Sequence, residues 1–308
     1  MSPFDGELIA WLGLAADRND APMPDVANLG GKGASLARLA HLGFRVPPAF
    51  CLTTSAFRAQ LAEVADTAGL GATAADGAAL ATAPLAEPLS VALTAAVTRL
   101  VGELAPAGFA PRFAVRSSAI AEDGAASSYA GLHETELDVP PAGIDAAVRR
   151  CWASLWSPEA TAYRRRRSLD PGEAAMAVVV QALVPADASA VVFTRHPVTG
   201  RADQVVITST RGLGDAMVAG TITPDTTVVD KASRRVLELD PGDGSSGAAG
   251  PALGPDVLAE LVELSLQVED RFGLPVDIEA AHAGGTWYLL QARPITTGAS
   301  FDAAVGAP

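Results

Sequence analysis

Pro275-Val-Asp-Ile-Glu-Ala-Ala-His-Ala-Gly-Gly-Thr-Trp-Tyr-Leu-Leu-Gln-Ala-Arg293 holds two alternating runs around a glycine pair. Apolar and polar residues repeating with period two predict strands over 275–281 and 286–292, joined as a hairpin through His282-Ala-Gly-Gly285. In the first strand Val276 and Ile278 face one way and the carboxylates Asp277 and Glu279 the other. In the second, Gln291 and Arg293 share a face. Loop parity decides whether Glu279 joins them. A three-residue loop, 283–285, pairs Glu279 with Leu289 and leaves Gln291 one diagonal step away on the same surface. A loop of two or four residues sends them to opposite faces. A carboxylate and an amide oxygen on one surface, with a guanidinium beyond, suit a Mg²⁺–triphosphate platform. A solvated sheet face would carry the same alternation.

Outward from the hairpin, residues 257–272 have helical periodicity through Leu258, Leu261, Leu264 and Val268, after a Gly/Pro/Ser-rich surface loop at 240–255. Strand-length apolar runs fall at 177–183, 188–194 and 204–209. Residues 143–167 read as helix, ending in Tyr163-Arg-Arg-Arg-Arg167; cations at a helix end favour the dipole, and a docking patch is the other reading. Residues 112–117 alternate as a strand that places Phe113 and Val115 on one face and Arg116 on the other. A small-residue loop leads through Ser128-Tyr-Ala-Gly131 to a strand near 134–139. Toward the N-terminus, Leu29-Gly-Gly-Lys-Gly-Ala-Ser-Leu36 predicts a glycine turn opening a helix, closed by Gly43. A second helix spans 55–68, and 69–90 reads as a loop with one short helix. The mixture is α+β.

Composition narrows the function. The 308 residues are 49% hydrophobic, which excludes wholesale disorder, and carry a net charge of −13, which disfavours phosphate backbones. No run approaches the roughly 20 apolar residues of a membrane span, and the N-terminus lacks a signal-peptide pattern. Cys51 and Cys151 lie too far apart in sequence for a CxxC metal site, and the expected location is cytoplasmic.

Three features can carry chemistry. Gly30-Gly31-Lys32-Gly33 at a helix start lets backbone N–H groups and an ammonium approach an anion, though it lacks the first glycine of a Walker A loop. Arg116, at a strand end beside a glycine-bearing loop, can clamp phosphate oxygens with its planar fork. The carboxylate hairpin is the third. The four histidines, His41, His133, His196 and His282, have no metal-ligand spacing.

Taken in order, these segments resemble the ATP-grasp nucleotide-binding domain of the phosphoenolpyruvate synthase, pyruvate phosphate dikinase and rifampin phosphotransferase family. The matching stretches are 29–36, Val46-Pro-Pro-Ala-Phe50, Val115-Arg-Ser-Ser-Ala119, 128–131, Phe193-Thr-Arg-His-Pro-Val-Thr-Gly200, Gly212-Leu-Gly-Asp215, Asp277-Ile-Glu279 and Gln291-Ala-Arg-Pro-Ile-Thr296. The resemblance implies two lobes with MgATP between them: an N-terminal lobe over 1–180, a C-terminal lobe over 181–298 and a tail over 299–308. It implies phosphate contacts from Lys32, Arg116 and Arg293, a lid loop at Gly131 and Thr135, and an adenine-holding hinge at Gln181 and Leu183. Magnesium ligands would be Glu279 and Gln291, supported by Asp277. Leu132-His133 departs from the polar residues common after the lid glycine.

The family reaction moves the β-phosphate of ATP to a histidine, leaving AMP and phosphate. The expected function is therefore an ATP-dependent phosphotransferase domain, natural or excised, that needs a phosphohistidine carrier from another protein or domain. No nucleic-acid or membrane partner is expected. A small-molecule kinase and a non-catalytic ATP-binding regulator are the alternatives.

Overall fold

The computed structural model describes residues 8–13, 25–68, 77–104, 111–120, 135–166, 175–243 and 250–295. The chain divides into two compact units, Met1–Gly43 with Pro47–Leu183 and Phe44–Val46 with Val184–Pro308. Among the described residues no helix is long and apolar enough to cross a membrane.

In the first unit the elements run β1 (Ile9–Leu12), α1 (Val26–His41), β2 (Ala49–Leu52), α2 (Thr54–Ala68), α3 (Gly77–Thr82), α4 (Glu87–Leu104), β3 (Phe113–Ala119), β4 (Thr135–Val139), α5 (Ile144–Ala153), α6 (Pro158–Arg166) and β5 (Met176–Ala182). The strands form an antiparallel sheet in the order β1-β2-β5-β3-β4. Alternation sends Phe50, Leu52, Phe113, Val115, Val178 and Val180 into one core with Leu89, Leu93 and Leu100 of α4 and Trp152 of α5. Trp152 is fully buried without stranding its donor, because Nε1 donates to the Met176 carbonyl at 3.0 Å. The 69–90 stretch holds α3 and the start of α4, whose Ala- and Thr-rich sequence hides its apolar stripe. The single helix expected over 143–167 is instead two, because Pro158 cannot continue α5 and starts α6.

α1 covers the other face of this sheet. Asp25 caps it, its carboxylate accepting from Ala27 N at 2.9 Å. The helix begins four residues before Gly30 and kinks there, where φ is 66°. A Cβ on Gly30 would lie 2.0 Å from the Ser118 carbonyl oxygen, so only glycine lets the helix meet β3 this closely.

The second unit contains β6 (Ala188–Phe193), β7 (Gln204–Arg211), α7 (Asp215–Val218), β8 (Asp225–Asp230), β9 (Val236–Asp240), α8 (Pro255–Phe272), β10 (Val276–Ala283) and β11 (Thr286–Pro294). Its antiparallel sheet runs β11-β10-β6-β7-β8-β9. One face, through Val192, Val205, Ile207, Val276, Ile278 and Leu289, is buried, and α8 packs against β10. α8 starts at Pro255, and Gly273 in the left-handed region (φ 72°) ends it.

Candidate functional site

The hairpin turns on two residues, Gly284 and Gly285, with Ala283 opposite Thr286. Their φ values of 55° and 73° fit a type I′ turn, which glycine accommodates without strain. Continued without interruption, that register would pair Glu279 with Leu290 and turn Gln291 to the wrong face. A β-bulge prevents this. Ala280 pairs with Leu289 but Glu279 pairs with Gln291, so Leu290 is the extra residue that resets the parity. Glu279 therefore stands directly opposite Gln291, and Asp277 directly opposite Arg293. All four occupy one face, continued on β6 by Val191 and Phe193, the partners of Glu279 and Asp277.

Arg293 Nε donates to Asp277 Oδ2 at 2.8 Å. Asp277 is only 9% exposed, and burial pushes its carboxyl pKa up. The Arg293 charge and hydrogen bond oppose that shift, while the neighbouring Glu279 charge adds to it. The pair divides the labour on this face: Asp277 orients Arg293, and the half-buried Glu279 stands beside the amide of Gln291. A carboxylate and an amide oxygen are hard donors of the kind Mg²⁺ takes. Among the described residues no group of three or more His, Cys, Asp or Glu could hold a metal.

In the first unit, Arg116 pairs with both Val179 of β5 and Thr135 of β4. Arg116, the exposed Thr135 and, two residues along β5, Gln181 share the α1 face of that sheet. Lys32, just after the Gly30 kink, donates from Nζ to the Ser117 carbonyl at 3.1 Å. Gln181 is 2% exposed, and its Nε2 has no hydrogen-bond partner among the described residues. Leu183 is half-buried and its N–H donates to the Arg112 carbonyl at 2.9 Å, so that donor is committed within the unit. Gly131, with the rest of the expected lid and Leu132-His133, lies outside the described residues.

The family model for the pyruvate phosphate dikinase AMP/ATP-binding domain matches residues 26–305. The chain belongs to this family. Its fold is accordingly of the ATP-grasp type. Similar proteins include the prodigiosin-synthesizing transferase PigC of Serratia marcescens, 39% identical over 87% of this chain and 32% of that protein. A rifampicin phosphotransferase of a Streptomyces species is 37% identical over 92% of this chain and 36% of its own length. A probable phosphoenolpyruvate synthase of Methanocaldococcus jannaschii is 32% identical over 94% of this chain and 27% of its own length. The chain spans about a third of the length of these relatives.

Two residues of this dikinase-type domain shape the site without having been singled out for it. Ser118 ties α1 to β3: its hydroxyl donates to the Leu29 carbonyl at 2.7 Å and accepts from Gly33 N at 3.0 Å. The Gly33 amide, expected to face an anion, is thereby engaged inside the protein. Leu290 is the other, and its signal was present: the doublet Leu289-Leu290 breaks an otherwise strict alternation.

Proposed function

We propose that the chain is an ATP-binding phosphotransferase domain that passes a phosphoryl group from MgATP to a histidine on a carrier supplied by another protein or domain. The observation that carries this reading is the single sheet face bearing Asp277, Glu279, Gln291 and Arg293, assembled by the bulge at Leu290. Family membership supplies the nucleotide. The balanced reaction takes ATP, an imidazole and water to AMP, inorganic phosphate and phosphohistidine.

Lys32, Arg116 and Arg293 are the cations that contact the phosphates, and catalysis is positioning plus charge stabilisation. Glu279 and Gln291 would hold Mg²⁺, which would supply charge neutralisation to the phosphates. Asp277 keeps the Arg293 fork aimed. Gln181 and Leu183 hold the adenine, whose ring nitrogens can accept from the Gln181 amide. Gly131 and Thr135 belong to a lid. A cytoplasmic setting fits this chemistry.

Phosphorus NMR of the products tests the reading, with a separately produced phosphohistidine carrier domain as acceptor. AMP, phosphate and a phosphoramidate signal that all require both proteins support it. ADP formed with a small hydroxylic acceptor points to a direct kinase, and binding without turnover points to a regulatory module.

A further inference from the structure

The second unit also contains a cavity of about 350 Å³ that the nucleotide reading leaves unused. It lies on the sheet face opposite the carboxylates, at the β8–β9 end, with α8 as its far wall. Val236, Leu239, Leu258 and Val262 make its apolar sides, and the half-exposed Val236 and Leu239 put its mouth on the outermost strand. This volume falls in the range of small-molecule sites, roughly 300–1,000 Å³. The inner end is polar. Ser209 and Thr227 line it at 2% and 5% exposure, and among the described residues neither side-chain hydroxyl has a hydrogen-bond partner. Ser209 stands opposite Asp225 of β8, so Thr227, two residues on, is its diagonal neighbour on the same face. Their Cβ atoms are thus within about 7 Å, close enough for one atom between the hydroxyls to meet both.

The charges around this end are already answered. Asp225 accepts at Oδ1 from Gly242 N at 2.7 Å and at Oδ2 from Ala252 N at 2.6 Å. Arg211, on the same face of β7 as Ser209, donates from Nη2 to the Gly250 and Pro251 carbonyls at 3.1 and 3.0 Å, which holds a positive charge on the loop that Asp225 clasps. At the rim Arg234 and Glu263 pair with each other. An ion entering the cavity would give up its hydration for no unanswered charge, so a fitting guest is neutral. What the inner end lacks is an acceptor for two donors. A carbonyl oxygen has two lone pairs and takes both hydroxyl protons. A single water would take them too, but would leave the apolar walls unfilled. We propose that this cavity binds a small neutral ketone with an apolar body, its oxygen between Ser209 and Thr227 and its hydrocarbon part between β9 and α8.

Acetophenone titrated into the whole chain, followed by calorimetry and by methyl NMR, tests this. The expected result is saturable binding that shifts the Val229, Leu258 and Val262 methyls and persists at saturating MgATP. Ethylbenzene, which keeps the apolar body and lacks the oxygen, should bind about tenfold more weakly, the loss of two hydrogen bonds. Benzoate, of similar shape but charged, should not bind. Ser209→Ala combined with Thr227→Val nearly keeps the cavity's shape and removes both donors. That double variant, its fold checked by the methyl spectrum, should bind acetophenone and ethylbenzene alike. Val262→Phe fills the cavity from α8 and should abolish binding. Absence of saturable binding at millimolar acetophenone, equal wild-type affinity for ethylbenzene, saturable binding of benzoate at these methyls, an undiminished ketone preference in the double variant, or displacement by MgATP would each overturn the proposal.

Discussion

Glu279→Gln replaces one carboxylate oxygen with an amide nitrogen at nearly constant volume, and its two effects should have opposite signs. The Glu279 charge is one cause of the raised Asp277 pKa, so removing it relieves a like-charge contact. Both groups lie on a partly solvated face, and that relief amounts to less than about 1 kcal/mol. The fold should be unchanged or slightly more stable. The metal has no such reserve. Asp277 is the next carboxylate on the face, but it lies about 7 Å further along the strand and its Oδ2 is held by Arg293 at 2.8 Å. Loss of an outer-sphere partner alone weakens metal sites about 10–100-fold, so exchanging the one charged ligand for a neutral amide oxygen should weaken MgATP about 100-fold. Calorimetry with MgATP, and with ATP in EDTA, separates the terms: the variant should bind both forms with the same weak affinity. A folded variant that binds MgATP within twofold of wild type would refute the reasoning and return these carboxylates to an ordinary solvated sheet face.

Lys32→Ala should leave most nucleotide affinity intact yet slow single-turnover phosphoryl transfer to the histidine carrier, read as AMP release, by about 100-fold at saturating ATP, as loss of one transition-state donor does. Gln181→Leu should raise thermal stability, because an unsatisfied buried amide costs about 1–3 kcal/mol, while weakening ATP in the same calorimetric titration. Gly30→Ala should lower the denaturant midpoint by an amount equivalent to about 3 kcal/mol or more. Its methyl would meet the Ser118 carbonyl oxygen at 2.0 Å, at a φ of 66°.

Local pattern made much of this molecule legible. The alternation in 276–279 and 287–293 depends only on which residues prefer water, so both strands and their polar faces could be read directly. The parity of the hairpin could not. A two-residue turn alone separates Glu279 from Gln291, and the bulge that reunites them forms only when the strand pairs with β10 on the sheet. Similarly, Lys32 and Arg116 announce phosphate chemistry by type. That Ser118 engages the Gly33 amide follows from the close approach of α1 to β3, 85 residues apart in sequence, which no window detects. β8 escaped because Asp225-Thr-Thr-Val-Val-Asp230 is short and mostly polar, and β9 because Val236–Asp240 is only five residues long and exposed throughout. Their identity as strands comes from their neighbours in the sheet rather than from their own composition.

Replacing Mg²⁺ with paramagnetic Mn²⁺ in the ATP complex tests most directly whether the hairpin face is the metal–phosphate face. Relaxation enhancement falls steeply with distance from the ion, so backbone amide signals of the isotope-labelled chain report where the metal sits. The account predicts that Glu279, Gln291 and Arg293 broaden first at substoichiometric Mn²⁺–ATP, while the amides of Val236–Asp240 at the far edge of the same sheet stay sharp. Broadening centred elsewhere, with the Glu279 and Gln291 signals unaffected, would contradict it.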